Sequence, residues 1–281
     1  MSPRPGGERL GGVPAAVRGR RWLDNRFLPP FLITVILLSG HLTFGILEGY
    51  ERTLSAIVAS LLAELVLGRL TYSRWPHLAS AYITGISVGI LIRSPLVWPY
   101  VVCSLVSVAS KYVLRVGGRH IWNPSNFGVC AMLVLAPSTV AALSIQWGNT
   151  LWPLLVIWAL GVVTVWRVKR LHICATYVGA FLVLSLVRSV VEGNPWLAAM
   201  APITGPMYQL FIFFMITDPK TTVTPWWAQC VVVLAVALVE AGLRLTEVVY
   251  APFFALFLVG PTAMLLDVAW QRRAVTPVAA G

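Results

Sequence analysis

Long apolar runs, separated by short polar connections, occupy nearly the whole chain after residue 26. A helix needs about 20 apolar residues to cross the bilayer core, and fewer where it is broken or re-entrant. The pattern predicts ten spans, near residues 28–49, 53–68, 78–94, 96–114, 125–143, 151–166, 172–191, 204–217, 226–243 and 249–268. The chain is therefore predicted to be an all-α membrane protein.

Composition agrees with this interpretation, because 58% of the residues are hydrophobic, 11% are charged and the mean hydropathy is +0.81. A soluble domain of this length would carry more charge. The segment 1–26 is basic, and the apolar run after it lacks a small-residue cleavage site. We therefore expect a basic cytoplasmic arm at 1–26, an uncleaved first span, and a short cytoplasmic tail at 271–281.

Lysine and arginine lie mostly on one side of the predicted topology. With alternating spans, 17 of the 21 basic residues fall on the side of the two termini, and four fall on the other: Arg52, Arg93, Arg188 and Arg244. Basic residues are retained in the cytoplasm during insertion. Both termini are therefore predicted to be cytoplasmic, in a plasma (inner) membrane. Basic loops beside anionic lipid also account for the net charge of +11, without nucleic acid as a partner.

The two halves of the chain resemble each other. Ile-Thr-Gly occurs at residues 83–85 and again at 203–205, and prolines follow at similar offsets in both halves. Five spans per half is an odd number, so the second half would be inverted relative to the first. We therefore predict two inverted five-helix repeats, at 27–145 and 146–270, which enclose a site near the midplane where helices are interrupted.

Polar residues beside the predicted helix interruptions are the candidate site residues. Non-helical backbone at such depth is tolerated only where protein or a polar cavity satisfies it. Helix capping is the alternative explanation, since Asn123 and Asp218 each precede a proline at a first-turn position. On the functional interpretation, the polar lining of a cofactor site between the repeats consists of Asn123, Asn126, Thr217, Asp218 and Lys220.

Glu64 and Glu240 lie inside predicted spans, where ionisable residues are costly and mark functional sites. Glu240 precedes Arg244 by one helical turn, and an i,i+4 ion pair accounts for it. Glu64 has no equally good local partner. Glu64, together with Asp218 at the helix interruption, is therefore the candidate for an ion or proton path.

The motif His-x-x-Asn-Pro-x-x-x-Gly at residues 120–128 follows Lys-Tyr-Val-Leu-Arg at 111–115, and Thr-Asp-Pro comes far downstream at 217–219. This ordered set resembles the NqrB/RnfD family, the membrane subunits of the sodium-pumping NADH:quinone reductase and of the Rnf electron-transport complex. The similarity covers most of the chain after the arm and is closest to stand-alone members that accompany enediyne biosynthesis genes. It implies a ten-helix inverted-repeat fold, flavin in the membrane domain, partner subunits, and electron transfer coupled to cation movement.

One family feature is missing. The resemblance implies FMN attached to the threonine of a Ser/Thr-Gly-Ala-Thr motif, but residues 136–150 contain no such motif. Covalent FMN is therefore not expected, and a non-covalent flavin (FMN or riboflavin), a quinone or no cofactor remain as alternatives. Four isolated cysteines provide no Cys-x-x-Cys pair for a metal. The sequence predicts a membrane subunit in electron transport; a non-redox ion or small-molecule transporter and a cofactor-less scaffold subunit are the competing hypotheses.

Overall fold

The computed structural model describes residues 28–44, 49–73, 75–142 and 151–275. Its helices are α1 (Leu28–Phe44), α2 (Tyr50–Tyr72), α3 (Ala79–Leu91), α4 (Trp98–Val113), α5 (Pro124–Leu135), α6 (Leu151–Arg167), α7 (Leu171–Glu192), α8 (Trp196–Met200), α9 (Pro206–Leu210), α10 (Trp226–Leu245) and α11 (Ala251–Val275). A 3-10 helix at Ala201–Thr204 separates α8 from α9, and a π-helix at Phe211–Met215 continues α9. The predicted arm at 1–26, residues 143–150 of the interval without the FMN motif, and the tail from residue 276 lie outside the described residues.

Length and hydropathy identify several of these helices as membrane spans. Helices α2, α7 and α10, and residues Ala251–Gln271 of α11, are each long and apolar enough to cross a bilayer. A fifth span results if Trp196–Thr204 (α8 and the 3-10 helix) and Pro206–Met215 (α9 and the π-helix) form one broken span. These two parts are bent by 60° relative to each other. Shorter apolar helices lie within α1, α3, α5 and α6. Large apolar side chains such as Leu62 and Val187 are exposed along the helices, which suits contact with lipid. The prediction of an all-α membrane protein is confirmed.

Helix neighbours recur in the same order in the two halves of the chain. In the first half, α2 packs against α3 and α4, α4 packs against α5, and α1 packs against α3. In the second half, α7 packs against α8 and α10, α10 packs against α11, and α6 packs against α9. The halves meet where α1 contacts α6 and where α5 contacts α11. In both halves, therefore, two long helices that are separated along the chain lie side by side: α2 with α4, and α7 with α10.

Two helices end earlier than the apolar pattern indicates. The span predicted at 78–94 is helical only to Leu91, and the one predicted at 125–143 only to Leu135. Pro137 explains the end at Leu135, because the residue before a proline is disfavoured in the helical conformation. Pro95 disfavours Ser94 in the same way, but Ile92 and Arg93 leave the helix before it. The chain then forms strands β1 (Ile92–Arg93) and β4 (Ala141–Ala142), which pair antiparallel. This pairing satisfies backbone groups that the helices no longer satisfy.

The eighth predicted span, at 204–217, differs from the structure in its start and in its continuity. The helical segment begins at Trp196, turns through the 3-10 helix, and resumes at Pro206. Pro202 and Pro206 lack the N–H that a continuous helix would use there, so the bend follows from the sequence. The apolar pattern indicates only the part of this segment that begins at Pro206, because α8 is a helix of just five residues.

Two glycines allow α3 to approach α2 closely. A Cβ atom at Gly85 would lie 2.5 Å from the Cα of Ile57 and 2.5 Å from the Oγ of Ser60, and one at Gly89 would lie 2.7 Å from the Cγ2 of Thr53. Their four-residue spacing places both glycines on one face of α3. This small-xxx-small arrangement is typical of tightly packed helix pairs in membranes.

We expect Gly85→Ala to destabilise the protein, because the added methyl group would overlap the backbone of α2. Such overpacking costs about 1–3 kcal/mol. Thermal unfolding of the detergent-purified protein should show a lower midpoint for this variant. Gly179→Ala in α7 is the matched control, since its added Cβ would meet nothing within 4 Å. Equal midpoints for the two variants would contradict the close α2–α3 contact.

Candidate functional site

A short hairpin between α4 and α5 carries the side chains of Arg115 and Arg119. Strands β2 (Arg115–Val116) and β3 (Arg119–His120) pair antiparallel, and Gly117 and Gly118 join them with φ angles of 58° and 79°. A two-residue turn of this kind needs positive φ at both positions, which glycine adopts without strain. The Gly-Gly pair is a sequence signal for this hairpin that apolar periodicity alone does not show.

Asp218 organises the turn between the π-helix and α10. Its Oδ1 accepts the backbone N–H of Lys220 at 3.0 Å, and its backbone carbonyl accepts the N–H of Thr222 at 3.2 Å. The hydroxyl of Thr222 donates to the same carbonyl at 2.5 Å. A carboxylate that bonds to the backbone two residues ahead is a common way to fix a turn. Part of the role of Asp218 is therefore local, but it fixes a turn and does not cap a helix, since α10 begins only at Trp226.

The turn also contacts the first half of the chain through its carboxylate. Asn123 donates from Nδ2 to Asp218 Oδ2 at 3.3 Å, and the Nε2 of His120 lies 3.9 Å from the same oxygen. Burial raises the pKa of Asp218, but the interactions with His120 and with Lys220 outweigh it and hold the pKa below its usual value. Asp218 is therefore ionised at neutral pH, and its charge links the two halves.

Arg119 adds a second link between the halves. Its guanidinium donates to the backbone carbonyls of residues 219, 220 and 222, with N–O distances of 3.4, 3.2 and 2.7 Å. Arginine suits this task because its planar group offers several donors in fixed directions. The hairpin and the turn at 217–222 thus form one polar junction, which we call the repeat junction and define as Arg119, His120, Asn123 and residues 217–222.

The five predicted cofactor-site residues do not all face one space. Asn123 and Asp218 are hydrogen-bonded, and Lys220 contributes backbone groups while its side chain is exposed. Thr217 is buried and donates to the carbonyl of Phe213 in the preceding π-helix, at 2.7 Å. Asn126 is buried, and its N–H is bonded by the Oδ1 of Asn123, which caps α5.

The start of α5 is also tied to α11. Pro261 lies inside α11 and has no N–H, so the carbonyl of Phe257 one turn earlier lacks its helical donor. The indole N–H of Trp122 donates to that carbonyl at 3.0 Å. Asn126 donates from Nδ2 to the carbonyl of Phe253 at 3.2 Å, while its Oδ1 has no hydrogen-bond partner within the described part of the chain. These two side chains therefore serve to join helices.

The cavity beside the repeat junction is too small for a ring cofactor. It has a volume of about 30 Å³, and its lining includes Asn123, Ile216, Thr222 and Pro261. Sites for organic ligands typically have volumes of about 300–1,000 Å³, whereas a space near 30 Å³ suits a single water molecule. This cavity by itself is therefore too small to hold an isoalloxazine or quinone ring.

Glu64 has partners that its sequence neighbours do not reveal. It forms a buried ion pair with Lys111 of α4, and the hydroxyl of Tyr112 donates to its Oε1 at 3.0 Å. Lys111 also contacts the Oγ of Ser80 in α3 at 3.4 Å. Residues along α2 offer Glu64 no partner of this kind. Its partners come from α4, because α2 and α4 pack side by side.

Glu240 occupies the corresponding helix pair in the second half. The predicted ion pair with Arg244 is confirmed, with 3.0 Å between Arg244 Nε and Glu240 Oε1. The hydroxyls of Tyr177 in α7 and Tyr208 in α9 donate to the two carboxylate oxygens, and Arg244 also donates to Tyr208. Sequence reasoning missed both tyrosines. Their only signal is that a tyrosine inside an apolar span needs a partner for its hydroxyl.

The four cysteines are free thiols, and the described residues contain no group of three His, Cys, Asp or Glu side chains suited to a metal ion. No known protein family and no curated protein matches this chain.

We expect Arg119→Gln to loosen the turn at 217–222, because three backbone carbonyls lose a charged donor. Hydrogen bonds to charged groups contribute about 1.5–3 kcal/mol each. For this partly exposed side chain we expect the lower end of that range, which corresponds to roughly tenfold faster amide hydrogen exchange at residues 220–222. Arg115→Gln is the control, since Arg115 donates to Gly118 within its own hairpin. Unchanged exchange in Arg119→Gln would show that the junction does not hold the turn.

Proposed function

We propose that this chain is a multi-pass plasma-membrane protein of two inverted five-helix repeats, with both termini in the cytoplasm. The eleven helices count as ten spans when α8 and α9 are one broken span. The matched order of helix contacts supports the repeats, and the one-sided distribution of basic residues supports the orientation. In this arrangement the repeat junction lies at the cytoplasmic side.

Within that fold, we propose that the protein moves a proton or small cation, as a membrane subunit of an electron-transport complex similar to the NqrB/RnfD type. The observation that carries the proposal is the pair of buried carboxylates at corresponding helix pairs, Glu64 between α2 and α4 and Glu240 between α7 and α10. Ionisable groups at such positions are costly and characteristic of ion paths. In the proposed topology Glu64 lies toward the cytoplasm and Glu240 toward the opposite face.

The partners of each carboxylate suggest how the binding of a proton or cation is coupled to the contacts between helices. A proton or cation that binds Glu64 would displace the ammonium group of Lys111. Because an unpaired buried ammonium is strongly disfavoured, that group would have to move to polar surroundings. Binding at Glu64 would therefore release α4 from α2. At Glu240 the arginine and two tyrosines hold the charge in place, so a proton there would have to displace Arg244. The repeat junction would keep the two halves in register while one cluster changes.

In this proposal, partner subunits carry the electrons. The cavity beside Asn123 does not admit a flavin or quinone ring, and the covalent FMN motif is missing. The same two features favour the second candidate, a non-redox ion transporter that works without an electron-transfer complex. A scaffold subunit without transport is the third alternative, and the flux measurement below separates it from the others.

We expect Glu64→Gln to lower cation or proton flux into proteoliposomes by about tenfold or more under an imposed membrane potential, since an ionisable group of the path is lost. Because this change leaves Lys111 buried without its partner, Glu64→Gln/Lys111→Met provides a second variant in which both charges are removed. Glu51→Gln is the control, since Glu51 is exposed at the start of α2. Equal flux in all variants would remove Glu64 from the path, and flux no higher than in empty liposomes for the unaltered chain would favour a scaffold.

The detergent-purified chain alone should show no flavin band in its visible absorption spectrum. A yellow colour that acid precipitation leaves in the supernatant would instead reveal a non-covalent flavin, at a site other than the cavity beside Asn123. Colour in the pellet would reveal covalent attachment. Either result would return electron carriage to this chain.

A further inference from the structure

An open groove lies at the connection between α6 and α7. Its volume is about 510 Å³, and it is lined by Trp166, Arg167, Lys169, Leu171 and His172. This size falls within the range of small-molecule sites. None of these residues belongs to the repeat junction or to the two carboxylate clusters.

The groove is cationic. The side chains of Arg167 and Lys169 are exposed, and the sequence from 151 to 191 contains no aspartate or glutamate. Arg170 lies between them and α7, and its Nη1 is buried with no hydrogen-bond partner among the described residues. Asp218 is close enough to interact with the charge of Arg170, but so is Arg119, and the local charge therefore stays positive.

An exposed apolar stripe on α6 leads into the groove. Leu155, Trp158, Val162 and Trp166 follow one another at intervals of three or four residues, and they are 55%, 42%, 38% and 66% exposed. This spacing places them on one face of the helix. The stripe ends at Trp166, which also lines the groove, so one surface offers an apolar track and a cationic end.

We propose that this groove binds an anionic phospholipid, with its phosphate at Arg167 and Lys169 and an acyl chain along the apolar stripe of α6. Basic side chains at the ends of membrane helices attract anionic headgroups, and tryptophan prefers the depth at which headgroup and chain meet. The occupant follows from charge and shape, since a soluble phosphate would not use the stripe. The inference does not depend on the transport proposal.

Native mass spectrometry of the full-length chain in detergent tests it, with phosphatidylglycerol and phosphatidylcholine of identical acyl chains as probes. We expect phosphatidylglycerol to bind more tightly than phosphatidylcholine. In Arg167→Gln/Lys169→Gln its affinity should fall by about 30-fold, because the attraction between the headgroup and two surface cations is lost. Both side chains are exposed, so the fold should survive the change.

Arg69→Gln/Arg115→Gln is the matched control, because it removes two exposed cations near the ends of α2 and α4. Affinity in this control should stay close to that of the unaltered chain. An equal loss in both double variants would mean a general effect of net charge and would overturn the site. No preference for phosphatidylglycerol, or its displacement by inorganic phosphate at equal concentration, would overturn a lipid as the occupant.

Discussion

A charge buried among membrane helices has to be neutralised inside the protein, and the packing of the long helices depends on this constraint. Glu64 and Lys111 are each tolerable only because α2 and α4 lie side by side, and Glu240 requires side chains from α7 and α9 as well as Arg244 in its own helix. Both clusters therefore hold together helices that are separated along the chain. They are also the clusters at which the transport proposal places the binding of a proton or cation.

The second constraint is that backbone groups left free where a helix ends or breaks need other hydrogen-bond partners. The structure meets it in three ways: strand pairing between β1 and β4, donation from Trp122 to the carbonyl that Pro261 leaves free in α11, and donation from Arg119 to the turn at 217–222. Two of these contacts run between the halves of the chain. The helix breaks are thus also the points at which the halves are joined, which explains why the polar junction is well satisfied and leaves little space.

Asn123 and Asp218 each combine a local hydrogen bond with a contact between the two halves of the chain. Asn123 caps α5 through its Oδ1 and contacts Asp218 through its Nδ2, so one amide carries out both tasks. Asp218 likewise fixes its own turn and accepts from the first half of the chain. Because the hydrogen-bonding capacity of these groups is taken up by protein, they are better suited to hold the two halves of the chain together than to bind a large ring.

The sequence by itself determined the membrane class, most helix positions, the glutamate–arginine pair in α10 and the meeting of Asn123 with Asp218. These features depend on local composition, on i,i+4 spacing or on paired motifs that a sequence shows directly. Tertiary structure alone decided the partners of Glu64, the tyrosines around Glu240, the strand pairing after α3 and α5, and the small volume beside Asn123. Each of these depends on which helices lie next to each other and how closely they approach, and residues far apart in the chain carry no local signal of that distance.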